Sequence, residues 1–431
     1  MLSLTERDKK IIWHPFTQEK TADPVISISH AKGSYVFDEN GTAYLDCISS
    51  WWVNLHGHSH PDIAQAIYEQ ALKLEHIIFA KFTHSPAVEL CEQLTSILPL
   101  ALTKCFFSDN GSTSVEIALK MAYQYWYNKK HPEKTLFLSF EGAYHGDTFG
   151  TMSIGSSGFH NIFSSFFFNV LRIPFPDTWD GDNEIKKKEA HALHVLDTYL
   201  LEYKNTIAAI VIEPLIQAAR GMRICRPTFL TSIIKKVRNA GILVIFDEVM
   251  TGFGRTGTYF AFEQLDVIPD FLCLSKGLTG GFLPLALTIT TDEIYNAFLH
   301  EEWKYALAHG HSFTANPLGC AAALASLKLL LHEKTTLAMQ SIHQAHIDGI
   351  SFLQKSCSNV TKTRVLGTIS AFELHDTTHI KQIESSFLAN GLLLRPLYNV
   401  IYIIPPYSTS YNELMDAYNK IYKILRESGK N

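Results

Sequence analysis

Three short segments hold residue types that can do chemistry. In Phe271-Leu272-Cys273-Leu274-Ser275-Lys276-Gly277 a lysine follows an apolar run. Desolvation of an amine in such a place lowers its pKa and frees the nitrogen to attack a carbonyl. In Ile242-Leu243-Val244-Ile245-Phe246-Asp247-Glu248 two carboxylates end a fully apolar run, and Asp247 is poised to pair with a buried cation. In Phe106-Phe107-Ser108-Asp109-Asn110-Gly111-Ser112-Thr113-Ser114 an apolar run turns into a Gly/Ser segment, with a helix expected over Val115–Tyr127. Free backbone N–H groups and the helix dipole suit a phosphate there, and the hydroxyls of Ser112 and Thr113 can assist. Taken singly, each segment also has an ordinary reading: a lysine reaching solvent, a solvated strand end, a capped helix start.

The elements that must position these residues follow from hydrophobic patterning. Apolar runs at Cys105–Ser108, Leu136–Phe140, Ala208–Ile212, Ile242–Phe246 and Phe271–Leu274 alternate with helical stretches. Continuous runs of this length predict strands buried on both faces of a parallel sheet, joined by helical crossovers. This α/β unit is expected to run to about residue 290. Ligands of open α/β sheets bind beyond the carboxyl ends of the strands. Asp247 and Lys276 stand 29 residues apart, one β–α–β unit, so they should emerge side by side. Upstream, Ser34–Phe37 and Thr42–Asp46 alternate in polarity around Asp38-Glu39-Asn40-Gly41 and predict a hairpin. Helices are expected from Pro61, with Ile63, Ile67, Ala71 and Leu74 on one face, and from Ser85-Pro86. Beyond the α/β unit, helical patterns (Leu318–Glu333, Ile380–Asn390) mix with strand-like runs (Gly391–Arg395, Val400–Ile404). They suggest a smaller α+β domain.

A phosphate cup, a carboxylate and a carbonyl-reactive lysine together fit pyridoxal 5'-phosphate, whose pyridine nitrogen a carboxylate keeps protonated. DEVMTGFGRTG (Asp247–Gly257) followed by LSKGLTGG (Leu274–Gly281) resembles the class III aminotransferase signature, and the similarity covers nearly the whole chain. The resemblance implies a type I pyridoxal-phosphate-dependent transferase fold: a large domain with a mainly parallel sheet plus a smaller α+β domain. It also implies a homodimer with active sites at the interface. The expected division is 1–60 as an N-terminal part of the small domain, 61–305 as the large cofactor-binding domain and 306–431 as the C-terminal small domain. Further segments resemble one branch of the family: Trp13-His14-Pro15-Phe16-Thr17-Gln18, Trp51-Trp52 before Asn54-Leu55-His56-Gly57-His58, Gly142-Ala143-Tyr144-His145-Gly146-Asp147, and Arg395-Pro396. That branch aminates 7-keto-8-aminononanoate (8-amino-7-oxononanoate) in biotin biosynthesis, usually from S-adenosylmethionine.

Carried over by motif, the resemblance implies that Lys276 binds the cofactor, Asp247 pairs with the pyridine nitrogen, and Gly111 and Ser112 hold the phosphate. Tyr144 would stack on the ring, while Trp51 and its neighbours Trp52 and Phe16 would line the substrate slot. Arg395 would take the substrate carboxylate. Gly310 would approach the substrate, and His311 and Ser312 would reach the phosphate of the partner subunit's cofactor. Three positions depart from the branch, which often has Tyr for Phe16 and Pro-Thr for His311-Ser312. Related enzymes that use lysine as donor show similar choices, whereas the Trp51-Trp52 pair is similar to S-adenosylmethionine users. The expected donor is S-adenosylmethionine; the alternatives are the same reaction with lysine as donor, or another class III aminotransferase acting on an ω-amino acid.

Composition sets the remaining bounds. The chain has 431 residues, enough for two or three structural units, and 12% are aromatic, which excludes a disordered chain. With 37 basic against 42 acidic residues there is no surplus for binding nucleic acid. Neither a membrane span nor a signal peptide is expected. Cys47, Cys91, Cys105, Cys225, Cys273, Cys320 and Cys357 are scattered without a C-x-x-C pair, as in a reduced, cytoplasmic protein. His56, His58 and His60 alternate in a glycine-containing loop with no Cys or carboxylate nearby, so a zinc site is not expected. Lys186-Lys187-Lys188 reads as a solvated face.

Overall fold

The computed structural model describes residues 2–428. A four-stranded sheet near the N-terminus contains β1 (Ile28–Lys32), β2 (Tyr35–Asp38) and β3 (Ala43–Asp46). The β2–β3 hairpin forms where the sequence places it. Its turn is tied by the Asp38 carboxylate, which accepts from the N–H groups of Asn40 and Thr42 at 2.9 and 2.8 Å. The central sheet contains β4 (Leu102–Ser108), β5 (Leu136–Phe140), β6 (Val170–Ile173) and β7 (Ile207–Ile212). After a short ladder of β8 (Ile216–Gln217) and β9 (Arg223–Ile224) it continues with β10 (Leu243–Asp247), β11 (Phe271–Leu274) and β12 (Ala286–Thr291). The strand order is β4-β12-β11-β10-β7-β5-β6, parallel throughout except that β12 runs antiparallel to both neighbours.

The apolar runs are continuous because both faces of this sheet are covered. Val211, Ile245 and Cys273 pack toward the helix Gly111–Asn128, whereas Ile212, Phe246 and Leu274 belong to the larger core on the opposite face. All six residues are fully buried. β12 escaped the sequence reading because Thr288 and Thr290 interrupt its apolar pattern. Both are nonetheless buried, since their hydroxyls donate to the Ser114 and Asp270 carbonyls at 2.7 and 2.8 Å. β1 and β6 were also not anticipated; each is a strand of only five or four residues at a sheet edge.

The C-terminal part adds an antiparallel sheet of β13 (Val360–Leu366), β14 (Ile369–Leu374) and, after β15 (Leu392–Leu393), β16 (Val400–Ile403). β15 is shorter than the run Gly391–Arg395 suggests and joins β3 of the N-terminal sheet in parallel register. The helix expected over Leu318–Glu333 ends at Leu330, and His332 caps a separate helix over Glu333–Ser356.

The β13–β14 turn touches the loop after β10. The Thr368 N–H and hydroxyl both donate to the Arg255 carbonyl, at 2.9 and 3.2 Å. Gly367 has φ +56, and an added Cβ would lie 2.2 Å from the Thr256 carbonyl carbon. Gly367→Ala should therefore force backbone to move. A stability loss of about 1–3 kcal/mol is expected in urea unfolding.

Candidate active site

Strand register assembles the site. Phe246 pairs with Ile212 and Asp247 with Cys273, so Glu213, Asp247 and Lys276 all emerge at the carboxyl ends of adjacent parallel strands. A cleft of about 1350 Å³ opens there. It is lined by Phe16, Trp51, Trp52, Gly111, Ser112, Tyr144, Asp247, Lys276 and Arg395, among others.

Lys276 follows β11 at a left-handed φ of 47°. Its Nζ lies 4.7 Å from the centroid of the Trp52 ring. Burial pushes the amine down from 10.5 to about 8; the charges of Asp247 and Glu213 oppose this, and buried Arg255 adds to it. Asp247 is 6% exposed and receives the His145 ring, Nδ1 to Oδ2, at 2.7 Å. The other ring nitrogen of His145, Nε2, is buried with no hydrogen-bond partner. Glu213 accepts from the Tyr144 and Ala218 N–H groups at 3.0 and 3.2 Å. Burial raises its carboxyl to about 7, against the pull of His145 and with the repulsion of Asp247. Glu248, the second carboxylate of the strand end, faces away from the cleft's chemistry. It accepts from the N–H groups of Ala261 and Phe262 and from Thr251, and so ties the following loop.

The helix after β4 begins at Gly111, one turn earlier than Val115, with Asn110 as its cap; the Asn110 side chain accepts from the Thr113 N–H at 3.0 Å. Gly111 and Ser112 thus supply first-turn N–H groups that have no acceptor within the helix. The Ser112 hydroxyl meets Thr148 and Thr151, each at 2.8 Å. The surroundings are tight. A Cβ on Gly111 would come 2.5 Å from Val249, and one on Gly146 (φ +124) would come 2.3 Å from the Ser112 hydroxyl. Tyr144 donates its hydroxyl to Asp147 at 3.0 Å, and burial raises its pKa.

At the mouth, Phe16 meets the edges of Trp51 and Phe159, with centroids 5.5 and 5.6 Å apart, and Phe159 stacks on Tyr398. The Arg395 guanidinium lies 5.5 Å from the Trp51 centroid and donates to the Phe16 carbonyl at 3.4 Å. The turn that presents the two tryptophans is strained. Ser49, Ser50, Trp51 and Trp52 have φ of 51°, 44°, 72° and 71°. Left-handed backbone costs about 1–2 kcal/mol per non-glycine residue and persists only where surrounding contacts hold it.

Gly310, His311 and Ser312 do not line this cleft. His311 lies behind it, with Nδ1 3.4 Å from Asp109 and Nε2 3.0 Å from His309, which in turn meets Lys120 at 3.0 Å. Two histidines of the loop are held by hydrogen bonds, His56 to Ser326 at 3.1 Å and His58 to Asp46 at 2.8 Å, whereas the buried Nδ1 of His60 has no partner. A carboxylate does reach His58, from the end of β3, which corrects the reading of that loop as lacking one nearby. Among the described residues no group of three or more His, Cys, Asp or Glu could hold a metal, and no helix is long and apolar enough to cross a membrane.

Sequence reasoning did not single out His145, Glu213, Asp147, Phe159 or Tyr398 as site residues. Glu213 carried a usable signal, a carboxylate ending an apolar strand just as Asp247 does. Phe159 and Tyr398 lie in irregular segments and reach the mouth only through the fold.

In the cofactor-free protein, labelling of Lys276 by an amine-reactive reagent should be half-maximal near pH 8, because only the neutral amine reacts. Asp247→Asn removes a charge that favours the ammonium, so its midpoint should move to lower pH. Mass spectrometry of the labelled peptide reads both; a midpoint near 10.5 would contradict the burial of the amine.

The family model for class III aminotransferases matches residues 16–425. A Synechococcus elongatus protein named adenosylmethionine-8-amino-7-oxononanoate aminotransferase is 47% identical, covering 96% of this chain and 98% of its own. The crystal structure of an enzyme of that name from Methanocaldococcus jannaschii superposes with a TM-score of 0.91 at 35% identity, covering 98% of both chains. An amine transaminase from an uncultivated Pseudomonas species, solved in a PLP-bound form, superposes with a TM-score of 0.88 at 28% identity, covering 96% of this chain and 97% of its own.

Proposed function

The chain belongs to the class III aminotransferases, a pyridoxal-phosphate-dependent family, and on that premise we propose that it aminates 8-amino-7-oxononanoate to 7,8-diaminononanoate in biotin biosynthesis, with S-adenosylmethionine as amino donor. The observation that carries the chemistry is the lysine amine whose pKa burial lowers to about 8, in one cleft with a buried carboxylate and an open helix start. The residues fit the cofactor. His145 keeps a buried, unpartnered ring nitrogen beside the Asp247 carboxylate, and the cup at Gly111 and Gly146 leaves no room for further side chains.

Pyridoxal phosphate, when bound, supplies a protonated pyridine ring that takes up the electron pair left on the substrate carbon. In this reading Asp247 holds the proton on the ring nitrogen, and His145 fixes the carboxylate for that task. The N–H groups of Gly111 and Ser112 and the Ser112 hydroxyl would hold the phosphate, and Tyr144 would face the ring. The Lys276 Nζ takes the proton from the donor carbon and returns it to the carbon on the other side of the transferred nitrogen, as base and then acid; an amine near pKa 8 suits both roles close to neutral pH. The keto substrate accepts the nitrogen by the reverse path. Phe16, Trp51 and Trp52 line its slot, and Arg395 takes the remote carboxylate in bidentate form. Gly310 approaches the substrate, and His311 and Ser312 act on the phosphate in a second copy of the chain. The reading therefore includes a homodimer with its active sites at the interface. It also includes the division at about residues 60 and 305, and a cytoplasmic setting in which the cysteines stay reduced.

The aromatic collar of Phe16, Trp51, Phe159 and Tyr398 supports a large sulfonium donor, since aromatic faces bind cations and stack on adenine. Phe16 and His311-Ser312 favour lysine as the second reading. Loss of the single hydroxyl at Phe16 costs only about 0.5–1.5 kcal/mol, so it does not exclude S-adenosylmethionine.

Lys276→Ala should abolish the borohydride-reducible adduct with the cofactor and all turnover. A reducible adduct at another lysine would overturn the assignment. Arg395→Ala should weaken 8-amino-7-oxononanoate by roughly 10- to 150-fold and the donor far less, measured on separate half-reactions. Equal losses in both halves would argue against a site for the remote carboxylate. Mixing the cofactor-loaded enzyme with each donor in turn tests the donor: S-adenosylmethionine should convert the chromophore rapidly, and conversion by lysine alone would reverse that choice.

A further inference from the structure

The strained Ser49–Trp52 turn presents Trp51 to the mouth and Trp52 to the Lys276 amine, yet no glycine or asparagine in it favours a left-handed backbone. Something outside the turn must hold it. The Asp46 carboxylate, fully buried at the end of β3, does so from behind. Its Oδ1 accepts from the N–H groups of Ile48 and Ser50 at 3.2 and 3.0 Å, and its Oδ2 accepts from the Ser50 hydroxyl at 2.8 Å. The same Oδ2 meets His58 Nε2 at 2.8 Å. His58 is itself oriented by Asn54, whose Nδ2 lies 3.2 Å from His58 Nδ1 and whose Oδ1 accepts from the Gly57 N–H at 2.8 Å. On the far side of the turn the Ser49 hydroxyl donates to the Ile404 carbonyl at 2.7 Å. Neither Asp46 nor His58 lines the cleft.

We propose that Asp46 and His58 are positioning residues that set how the Trp51–Trp52 pair meets the substrate, through the turn and without touching the substrate. The proposal rests on the aminotransferase reading for its kinetic part only. The carboxylate orders two backbone N–H groups and one hydroxyl into the left-handed turn, and the imidazole completes the carboxylate's remaining acceptor site. Loosening the clamp leaves Asp247 and the helix start at Gly111 in place, because those belong to the central sheet and its helix. The expected loss is therefore in substrate binding at the mouth, where Trp51 packs on Phe16 and faces Arg395.

The test uses the full chain labelled with 5-fluorotryptophan and fluorine NMR. Trp51→Phe and Trp52→Phe assign the two resonances of the turn among the six tryptophans. Asp46→Asn and His58→Ala should shift or broaden those two and leave Trp126, Trp179 and Trp303 unchanged; His58→Gln, which keeps a donor of similar reach, should restore them. Ser50→Ala, which deletes one contact only, should perturb the same two resonances more weakly and serves if Asp46→Asn does not fold. In turnover with 8-amino-7-oxononanoate, His58→Ala should raise KM about tenfold and change kcat less than threefold, with rescue by His58→Gln. Unshifted turn resonances, shifts spread over all the tryptophans, or equal loss of kcat and cofactor would overturn the proposal. A wild-type chain inactive on 8-amino-7-oxononanoate would refute the substrate reading alone, since the NMR outcome needs no substrate.

Discussion

The site depends on one electrostatic compromise. A lysine amine placed against an indole at the end of a buried strand loses hydration, which favours the neutral form. Asp247 and Glu213, at the ends of the two next parallel strands, favour the charged form. Neither side wins outright, and the amine is left near 8, where it can exist in either state. The parallel register makes this possible by ending three strands at the same level, so that two carboxylates and an amine converge without any of the three being on a flexible loop.

Two left-handed backbone features face one another across the cleft, Lys276 on the central sheet and the Ser49–Trp52 turn on the N-terminal part of the chain. The turn is held by Asp46, close to it in sequence, and by the Ile404 carbonyl, far from it. Arg255, buried in the loop after β10, donates to the Pro405 and Asn54 carbonyls at 2.8 and 2.7 Å and accepts at its own carbonyl from Thr368. One residue, through its side chain and its carbonyl, thus links the loop beyond Asp247, the loop before the histidines and the C-terminal sheet.

What was legible in the sequence follows a physical pattern. Strands covered on both faces announce themselves as unbroken apolar runs, as Ala208–Ile212 and Phe271–Leu274 do. The polar residues that end them then mark the site. β12 does not announce itself, because threonine hydroxyls that bond to carbonyls hide in a core as well as methyl groups do. The helix start was placed one turn late because Asn110 caps it ahead of the first apolar residue, Val115. Short edge strands, irregular segments and side chains such as Phe159 and Tyr398 carry no periodic signal at all.

The amino-acid sequence by itself determined the chemistry: a lysine, a carboxylate and a glycine–serine helix start, each placed at the end of an apolar strand, in motifs whose order and spacing belong to one enzyme family. Local patterning encodes such facts because burial and strand-end position depend on neighbouring residues. Only the tertiary structure decided which groups tune that chemistry. The pairing of β7 with β10 brings Glu213 beside Asp247, and the folding of the Gly142–Asp147 loop brings His145 onto the same carboxylate. The hairpin places Asp46 under a turn of non-glycine residues with positive φ. A left-handed turn of Ser-Ser-Trp-Trp has no cause in its own four residues, and so no signal in them. It exists because contacts from outside the turn, the nearby Asp46 carboxylate and the distant Ile404 carbonyl, outweigh the backbone's own preference.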